Sequence, residues 1–531
     1  MGNAKTAPAT CTSACPAGVD VPRYVTHIRE GDFGRALAVI REKIPFPGVC
    51  GYVCVHPCES RCARVQYDEP VAIKLLKRAA SEYGNESAIN PVRPAPTGKK
   101  AAVVGAGPCG LTAAFCLAAK GHRVRVFEAL PEPGGMLRYG IPGYRLPSEI
   151  LNRDISFITG HGVEIVTNAG VEYPETLMAD GFDAVLITVG AWKSLKMGIE
   201  GEKSDRVLEG VAFLKAVNSG NPPVVGRSVV VVGGGNTAVD AARSVIRLGS
   251  RVTLLYRRTL TQMPAHPAEI KAALEEGVEI KILAVPVKVN PDSVTCVKTT
   301  LDAADDSHRP APLPVEGSEF EVVCDTVIMA VGQTVDAGSF NLELNANGTI
   351  KVGPELETPT KGLFAAGDAV TGPSAIVEAI AQGRLVGKSI DRFLGGTGEI
   401  EDACDGEGRL EVPEEVPRGT YRPQVENIPS MKRVDGFSLV EPGFDRDMAI
   451  KEAGRCLACD ARDFNVAVND KICKGCGYCK EACALDIFTI SDSFNSQGYK
   501  PAGVQSSDHC VGCLKCLYIC PDFAINIEKI G

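Results

Sequence analysis

The stretch Gly105-Ala106-Gly107-Pro108-Cys109-Gly110 follows the apolar run Ala101 to Val104 and opens a helix-like run from Leu111 to Lys120. Strand, glycine turn and helix in that order are the mark of a dinucleotide-binding unit. The glycines allow a tight turn and let backbone amides approach a pyrophosphate, which then sits at the helix N-terminus. After Gly121 a second strand, Arg123 to Phe127, ends in Glu128, placed to accept hydrogen bonds from the hydroxyls of an adenosine ribose.

The pattern occurs twice. Strand Ser228 to Val232 leads into Gly233-Gly234-Gly235-Asn236-Thr237-Ala238, a helix to Leu248 and a strand from Arg251 to Leu255. Aligning the two units on their first glycines puts Tyr256 where the first unit has Glu128, followed by Arg257 and Arg258. Guanidinium groups at that strand end suit a 2′-phosphate, which a carboxylate would repel. The first unit therefore suits FAD and the second NADP(H); the alternative for Arg257 and Arg258 is a solvated basic pair. Asp183 to Gly190 reads as a buried strand ending in a glycine turn, and Glu275 to Asp325 as short strands and polar loops.

The chain of 531 residues, 45% hydrophobic with a net charge of −9, has room for about three or four domains. No basic tract points to nucleic acid. The longest uncharged run, Ala101 to Ala119, is broken by the nucleotide turn and argues against a membrane span. Nothing at the start argues for secretion, and Met1 to Thr6 fits the loose myristoylation pattern only by chance. With 21 cysteines, most in tight groups, a reduced cytoplasmic iron–sulfur protein is expected.

The tail carries the most specific motif. Cys473, Cys476, Cys479 and Cys483 repeat with the same spacing as Cys510, Cys513, Cys516 and Cys520-Pro521, the pattern of bacterial two-cluster ferredoxins. The fourth cysteine of each run is expected to ligate the other cluster; Ala484 stands where proline is usual. Structural zinc is the alternative.

Further phrases carry a family resemblance. Phe46-Pro47-Gly48-Val49-Cys50-Gly51-Tyr52-Val53-Cys54, Pro57-Cys58-Glu59-Ser60-Arg61-Cys62 and Pro70-Val71-Ala72-Ile73-Lys74 resemble the N-terminal iron–sulfur domain of the glutamate synthase small subunit. Dihydropyrimidine dehydrogenase and the large subunit of NADH-dependent ferredoxin:NADP oxidoreductase share that domain. Pro133-Gly134-Gly135-Met136-Leu137 and Gly140-Ile141-Pro142-Gly143-Tyr144-Arg145-Leu146-Pro147 are similar to the segment that wraps FAD in this family. Gly135, Met136 and Arg145 are carried over as flavin-site residues. Gly362-Leu363-Phe364-Ala365-Ala366-Gly367-Asp368-Ala369 implies that Asp368 meets the flavin ribitol. Arg455-Cys456-Leu457-Ala458-Cys459-Asp460 normally stands at the N-terminus of the family, so the resemblance implies that the tail folds back.

On the family pattern Cys456, Cys459, Cys11 and Cys62 would hold one N-terminal cluster, and Cys15, Cys54 and Cys58 would begin another. Relatives complete the second with Gln or Glu; Lys77 stands there instead, and Cys50 is expected to take the place. Cys109, Cys116, Cys296, Cys324 and Cys404 read as packing or surface residues.

The expected architecture is α/β, with two Rossmann-like domains between a helical iron–sulfur domain and an α+β two-cluster ferredoxin domain. Expected boundaries are a helical [4Fe-4S] domain at 1–95 and an FAD-binding domain at 96–200 and 326–395. An NADP(H)-binding domain takes 201–325, a linker with the fold-back 396–465, and the ferredoxin domain 466–531. With FAD, NADP(H) and four [4Fe-4S] clusters, the resemblance implies an electron-transfer subunit serving ferredoxin or a larger redox complex. A 2-oxoacid oxidoreductase, a bifurcating complex and a glutamate synthase large subunit are the partners considered. A free-standing NADPH:ferredoxin oxidoreductase, the small subunit of a glutamate synthase and, from another class, a regulatory or scaffold protein that binds NADPH and clusters without turnover are the alternatives. The dispersed histidines suggest no side-chain acid or base.

Overall fold

The computed structural model describes residues 8–85, 94–304, 309–336, 340–399, 419–426, 428–461 and 464–530. Met1 to Thr6, Cys404 and most of the expected linker lie outside them. The described residues divide into two units, one within 92–400 and 426–442, the other within 1–91, 401–425 and 443–531.

The first unit contains two parallel five-stranded sheets. In one, Lys100–Val104 lies between Arg123–Phe127 and Ala184–Ile187, with Glu164–Val166 and Leu363–Ala365 at the edges. Ala101 to Val104 and Ala184 to Ile187 are buried throughout, as strands covered on both faces require. The order reverses at Lys100–Val104, so the glycine turn opens at a topological switch point. Helix Pro108–Ala119 follows it and packs against helix Ile376–Phe393.

That helix pair depends on glycine. A Cβ on Gly383 would collide with the Cys109 carbonyl oxygen and lie 2.8 Å from Thr112 Cβ; one on Gly387 would lie 3.0 Å from Cys116 Cβ. Both partners are helix backbone or Cβ atoms, which cannot swing away. Gly383→Ala is therefore expected to cost about 1–3 kcal/mol through overpacking. Thermal unfolding followed by release of flavin fluorescence should show a Tm several degrees lower.

The second sheet has the order Val207–Glu209, Thr326–Met329, Ser228–Val232, Arg251–Tyr256, Glu279–Ile282. One expected boundary is corrected here. Thr326–Met329 does not return the chain to the flavin sheet but is an inner strand of the second one, paired with Val229 to Val232. All four of its residues are buried, which an inner position demands. The return comes with Leu363–Ala365. Between the last two strands of the second sheet in sequence, 284–323 forms a four-stranded antiparallel sheet.

In the other unit, the periodic run Val21 to Arg41 is two helices, Val21–Arg29 and Phe33–Arg41, separated at Gly31 (φ +81°). Asp32 caps the second, accepting from Arg35 N at 2.9 Å. Pro47–Val53 and Ile73–Tyr83 complete the bundle. Helix Arg446–Ala453, from the C-terminal half of the sequence, packs on Val21–Arg29 and Ile73–Tyr83. Ala72 N donates to Glu452 Oε1 at 2.7 Å, and Arg64 Nη1 donates to the Arg455 carbonyl at 2.5 Å. Asp68 receives Arg64 at 2.6 Å and Arg455 at 3.1 Å, with all three side chains almost fully buried.

The tail itself is two two-stranded antiparallel sheets, Phe464–Val468 with Ile525–Lys529 and Phe488–Ile490 with Ala502–Val504. Two one-turn helices, Tyr478–Ala482 and Lys515–Ile519, pack together beside them.

Candidate cofactor sites

The first glycine turn borders a cavity of about 500 Å³, within the range of ligand pockets. Gly105, Gly107, Glu128, Gly135, Met136, Gly367 and Asp368 line it. A Cβ on Gly107 would meet nothing within 4 Å, so the backbone faces open space just where a pyrophosphate would lie on the helix N-terminus. Gly135 (φ +56°) closes over it, its Cβ position only 2.9 Å from Gly107 Cα. Glu128 Oε2 accepts from Ala106 N and Oε1 from Leu130 N, each at 2.9 Å. Each carboxylate oxygen keeps acceptor capacity for a ribose hydroxyl. Asp368 opens helix Asp368–Thr371 and accepts from Ser374 Oγ at 2.7 Å; burial pushes its carboxyl above the usual range. These residues fit FAD.

Two expected flavin residues have other duties. Arg145 does not line the cavity: Nη1 pairs with Asp240 at 2.8 Å and Nε with Glu269 at 3.2 Å, joining the flavin segment to the second dinucleotide helix and to helix Pro267–Glu275. Gly110 lies beneath the turn, where a Cβ would collide with Gly105 O and Thr188 Oγ1. Thr188, absent from the expected set, donates from its hydroxyl towards Gly105 O at 3.0 Å and lines the cavity. Trp192, Lys215 and Asp336 also line it. The single tryptophan of the chain was the one compositional signal for these. Cys109, expected as packing, stands at the cavity wall with its thiol pKa raised by burial and the nearby Asp368 carboxylate.

At the second turn, Gly233 (φ +141°) lies against the Ala330 carbonyl and Gly234 beneath the Tyr256 ring. Gly235 faces open space at the start of helix Asn236–Arg247. Asn236 is exposed, its Oδ1 accepting from His266 N at 3.0 Å; Thr237 is half-buried, and Ala238 is core. The two arginines part company. Arg257 is exposed at the strand end, whereas Arg258 is 1% exposed with Nε donating to the Pro310 carbonyl at 2.7 Å. The expectation that both meet a 2′-phosphate is thus corrected, because the antiparallel sheet takes Arg258 inward.

The N-terminal cysteines and the fold-back pair lie close enough to perturb one another. Burial, together with repulsion from Cys459, Cys62, Cys456 and Cys58, pushes the Cys11 thiol well up. Burial takes Cys456 to about 12, with Cys62 among the neighbours that add to the shift. Cys58 is likewise pushed to about 12 by burial, against the opposing pull of Lys77 and with Cys54 and Cys15 adding to it. Lys77 is 3% exposed; burial disfavours its charge, but Cys50, Cys54, Cys15 and Cys58 outweigh this and raise its pKa. The ammonium therefore sits among these thiols as a counter-charge. His56 N donates to Cys54 Sγ at 3.3 Å.

The tail crosses its cysteines. Cys520 lines one chamber with Cys473, Cys476 and Cys479; Cys483 lines the other with Cys510, Cys513 and Cys516. Apolar side chains such as Val468, Ile525, Leu485 and Ile487 complete the walls. Ala502 N and Gly475 N donate to Cys473 Sγ at 3.3 and 3.4 Å, and Ala524 N to Cys520 Sγ at 3.3 Å. Backbone amides directed at sulfur stabilise thiolate ligands. Among the described residues, no three His, Cys, Asp or Glu side chains close on a point as a single ion would need. Thiolate donors spread around an apolar chamber fit a cluster.

Fold and sites together define an oxidoreductase of pyridine nucleotides that combines a flavin site with iron–sulfur modules. The chain belongs to the pyridine nucleotide-disulphide oxidoreductase family, whose model matches residues 99–383. Residues 4–89 match the 4Fe-4S domain II of dihydropyrimidine dehydrogenase, and 472–524 the 4Fe-4S dicluster domain.

Similarity extends to characterised proteins. The chain is 41% identical to the NADP(+)-dependent formate dehydrogenase subunit beta of Moorella thermoacetica, over 85% of this chain and 70% of that protein. It is 38% identical to the NADPH-Fe(3+) oxidoreductase subunit beta of Geobacter sulfurreducens, over 85% and 75%. Against the glutamate synthase [NADPH] small chain of Escherichia coli it is 34% identical, over 72% and 88%. Among the described residues no helix is long and apolar enough to cross a membrane.

Proposed function

We propose that this chain is the NADP(H)-handling electron-transfer subunit of a larger redox complex, holding one FAD and four [4Fe-4S] clusters. The observation that carries the reading is the gathering of Cys11, Cys62, Cys456 and Cys459 from opposite ends of the sequence into one group, the first two buried and the last two half-buried. A single-domain flavin reductase has no use for such a group, nor for the two thiol chambers of the tail. Cys15, Cys54, Cys58 and Cys50 serve the second N-terminal cluster, with Lys77 offsetting its negative charge. A flavin supplies the conversion between hydride and single-electron chemistry. The protein binds it through Glu128, Asp368 and the amides around Gly107.

The relatives are beta subunits and a small chain, which supports a partner chain that holds the terminal reaction. Formate oxidation, ferric reduction and glutamate synthesis are chemistries of those relatives' complexes that such a partner could contribute. Purification without oxygen followed by native mass spectrometry tests the assignment. The expected result is a stoichiometric companion chain, one FAD and about sixteen iron atoms per chain, four for each cluster. A metal-free or zinc-bearing chain would refute it.

Cofactor choice supplies a separate prediction. Arg257→Ala removes the exposed guanidinium, and a charge-assisted bond to phosphate is worth about 1.5–3 kcal/mol. NADPH affinity should fall about tenfold or more while NADH affinity is little changed, measured by titrating flavin bleaching. An equal loss for both nucleotides would sink the assignment of Arg257 to the 2′-phosphate.

A further inference from the structure

The residues lining the flavin cavity follow the strand ends in sheet order. Glu172 comes after Glu164–Val166, Glu128 after Arg123–Phe127, Gly107 after Lys100–Val104, Trp192 after Ala184–Ile187 and Asp368 after Leu363–Ala365. A dinucleotide laid across this row, with its adenosine ribose on Glu128 and its pyrophosphate on Gly107, has one direction left for the flavin ring. That direction is towards Trp192 and Asp368.

A single cation stands at that end. Among the described residues lining the cavity, Glu128, Glu172, Asp336 and Asp368 are acidic and Lys215 alone is basic. Its Nζ lies 5.9 Å from the ring centroid of Trp192 and 5.9 Å from that of Tyr139, and among the described residues it makes no ion pair. Two aromatic faces attract an ammonium without neutralising it. A carboxylate partner would cancel the charge, whereas these rings leave it available to the cavity.

Lys215 belongs to the second dinucleotide unit. Its helix, Gly210–Asn218, begins after strand Val207–Glu209, which pairs with Thr326–Met329. At the other end Asn218 Nδ2 donates to the Tyr139 carbonyl at 3.0 Å and to the Ile141 carbonyl at 3.1 Å, both in the flavin segment. Asn218 stands three residues beyond Lys215, so the ammonium is held one turn from a point tied to the flavin side. The helix thus carries a fixed charge from the nucleotide unit to the flavin cavity.

A hydride passing from a dihydronicotinamide to flavin N5 moves two electrons and one proton together. A C–H bond breaks and an N–H bond forms; the nicotinamide becomes cationic and the flavin ring gains one negative charge, with no other proton taken up. Positive charge set in place where negative charge develops favours the reduced ring. We propose that Lys215 supplies it, its ammonium stabilising the anionic reduced flavin. The proposal rests on the flavin reading of this cavity.

Lys215→Met keeps the length of the side chain and removes its charge; Lys215→Arg keeps the charge. Both are compared with the parent as full, cofactor-loaded chains without oxygen, by spectroelectrochemical titration of the flavin band. The equilibrium constant for flavin reduction should be at least tenfold lower in Lys215→Met, about 30 mV for a two-electron couple, and close to the parent's in Lys215→Arg. Flavin content should match the parent in both, and the cluster potentials, read from their paramagnetic signals, should not move. An unshifted flavin potential in Lys215→Met, an equal shift in Lys215→Arg, or a shift shared by the clusters overturns the proposal. So does loss of flavin from Lys215→Met, which would assign the ammonium to the pyrophosphate. If Lys215→Met does not fold, Lys215→Gln makes the same comparison. A parent chain purified without flavin would refute the reading of the cavity instead.

Discussion

Replacing Cys456 and Cys459 together by alanine is expected to remove one cluster of four irons, about a quarter of the total, while the flavin stays bound. The reasoning starts from the thiols themselves. Burial and mutual repulsion raise the thiol pKa of Cys11 and Cys456, an arrangement that a bound cation relieves. Cys11 and Cys62 alone offer two ligands, too few to hold a cubane. Both tail chambers draw their cysteines from 473–520 and do not use Cys456 or Cys459. Removal of the whole chain beyond Pro442 should instead cost three clusters, because the fold-back cysteines leave with the tail. Iron and sulfide analysis with cluster spectroscopy distinguishes the cases. Loss of two clusters on truncation, or of none in the double alanine variant, would refute the shared site.

Much of this was legible because it is local. Gly105 to Gly110 with Glu128, and the two cysteine runs of identical spacing, state their chemistry within short stretches of sequence. The displaced Arg455-to-Asp460 phrase indicated the fold-back, and helix Arg446–Ala453 is found against the N-terminal bundle. What sequence could not supply was the choice among equivalent partners. Thr326–Met329 has the composition of an inner strand in either sheet, and only pairing with Val229 to Val232 decides between them. Arg257 and Arg258 are adjacent and chemically identical, yet alternation along the chain sends one to solvent and the other to the Pro310 carbonyl. Arg145 sits in a flavin-like phrase but answers to Asp240 and Glu269, nearly a hundred and more residues later in the chain. The Tyr67 hydroxyl donates to the Val511 carbonyl at 2.9 Å and so joins the N-terminal region to the tail, a pairing that periodicity does not encode.

Asp68→Ala should be the most destabilising single change in the fold-back region, by about 3–5 kcal/mol, because it strands buried cations. Asp68 binds Arg64 and Arg455 with side chains 2%, 1% and 3% exposed, and its Oδ2 also accepts from Thr420 N at 3.1 Å. Burial alone would raise its carboxyl pKa, but the bonds from Arg64, Glu69 N and Arg455 win and hold it well below the ordinary carboxylate range. A depressed folded-state value means that the carboxylate stabilises the fold fully above its unfolded pKa, near 4. The contribution fades as pH falls from there through the depressed value. Wild type should thus keep this part of its stability at pH 5, with the deficit of Asp68→Ala undiminished between pH 5 and 7. Asp68→Asn keeps the shape but removes the charge, so its deficit should approach that of alanine if charge pairing dominates. Loss of N-terminal cluster absorbance on heating the intact protein without oxygen measures both variants. Because Arg455 precedes Cys456, the absorbance of the fold-back cluster should fail at lower temperature than that of the tail clusters. Equal melting of the three proteins would show that this buried triad does not hold the returning segment.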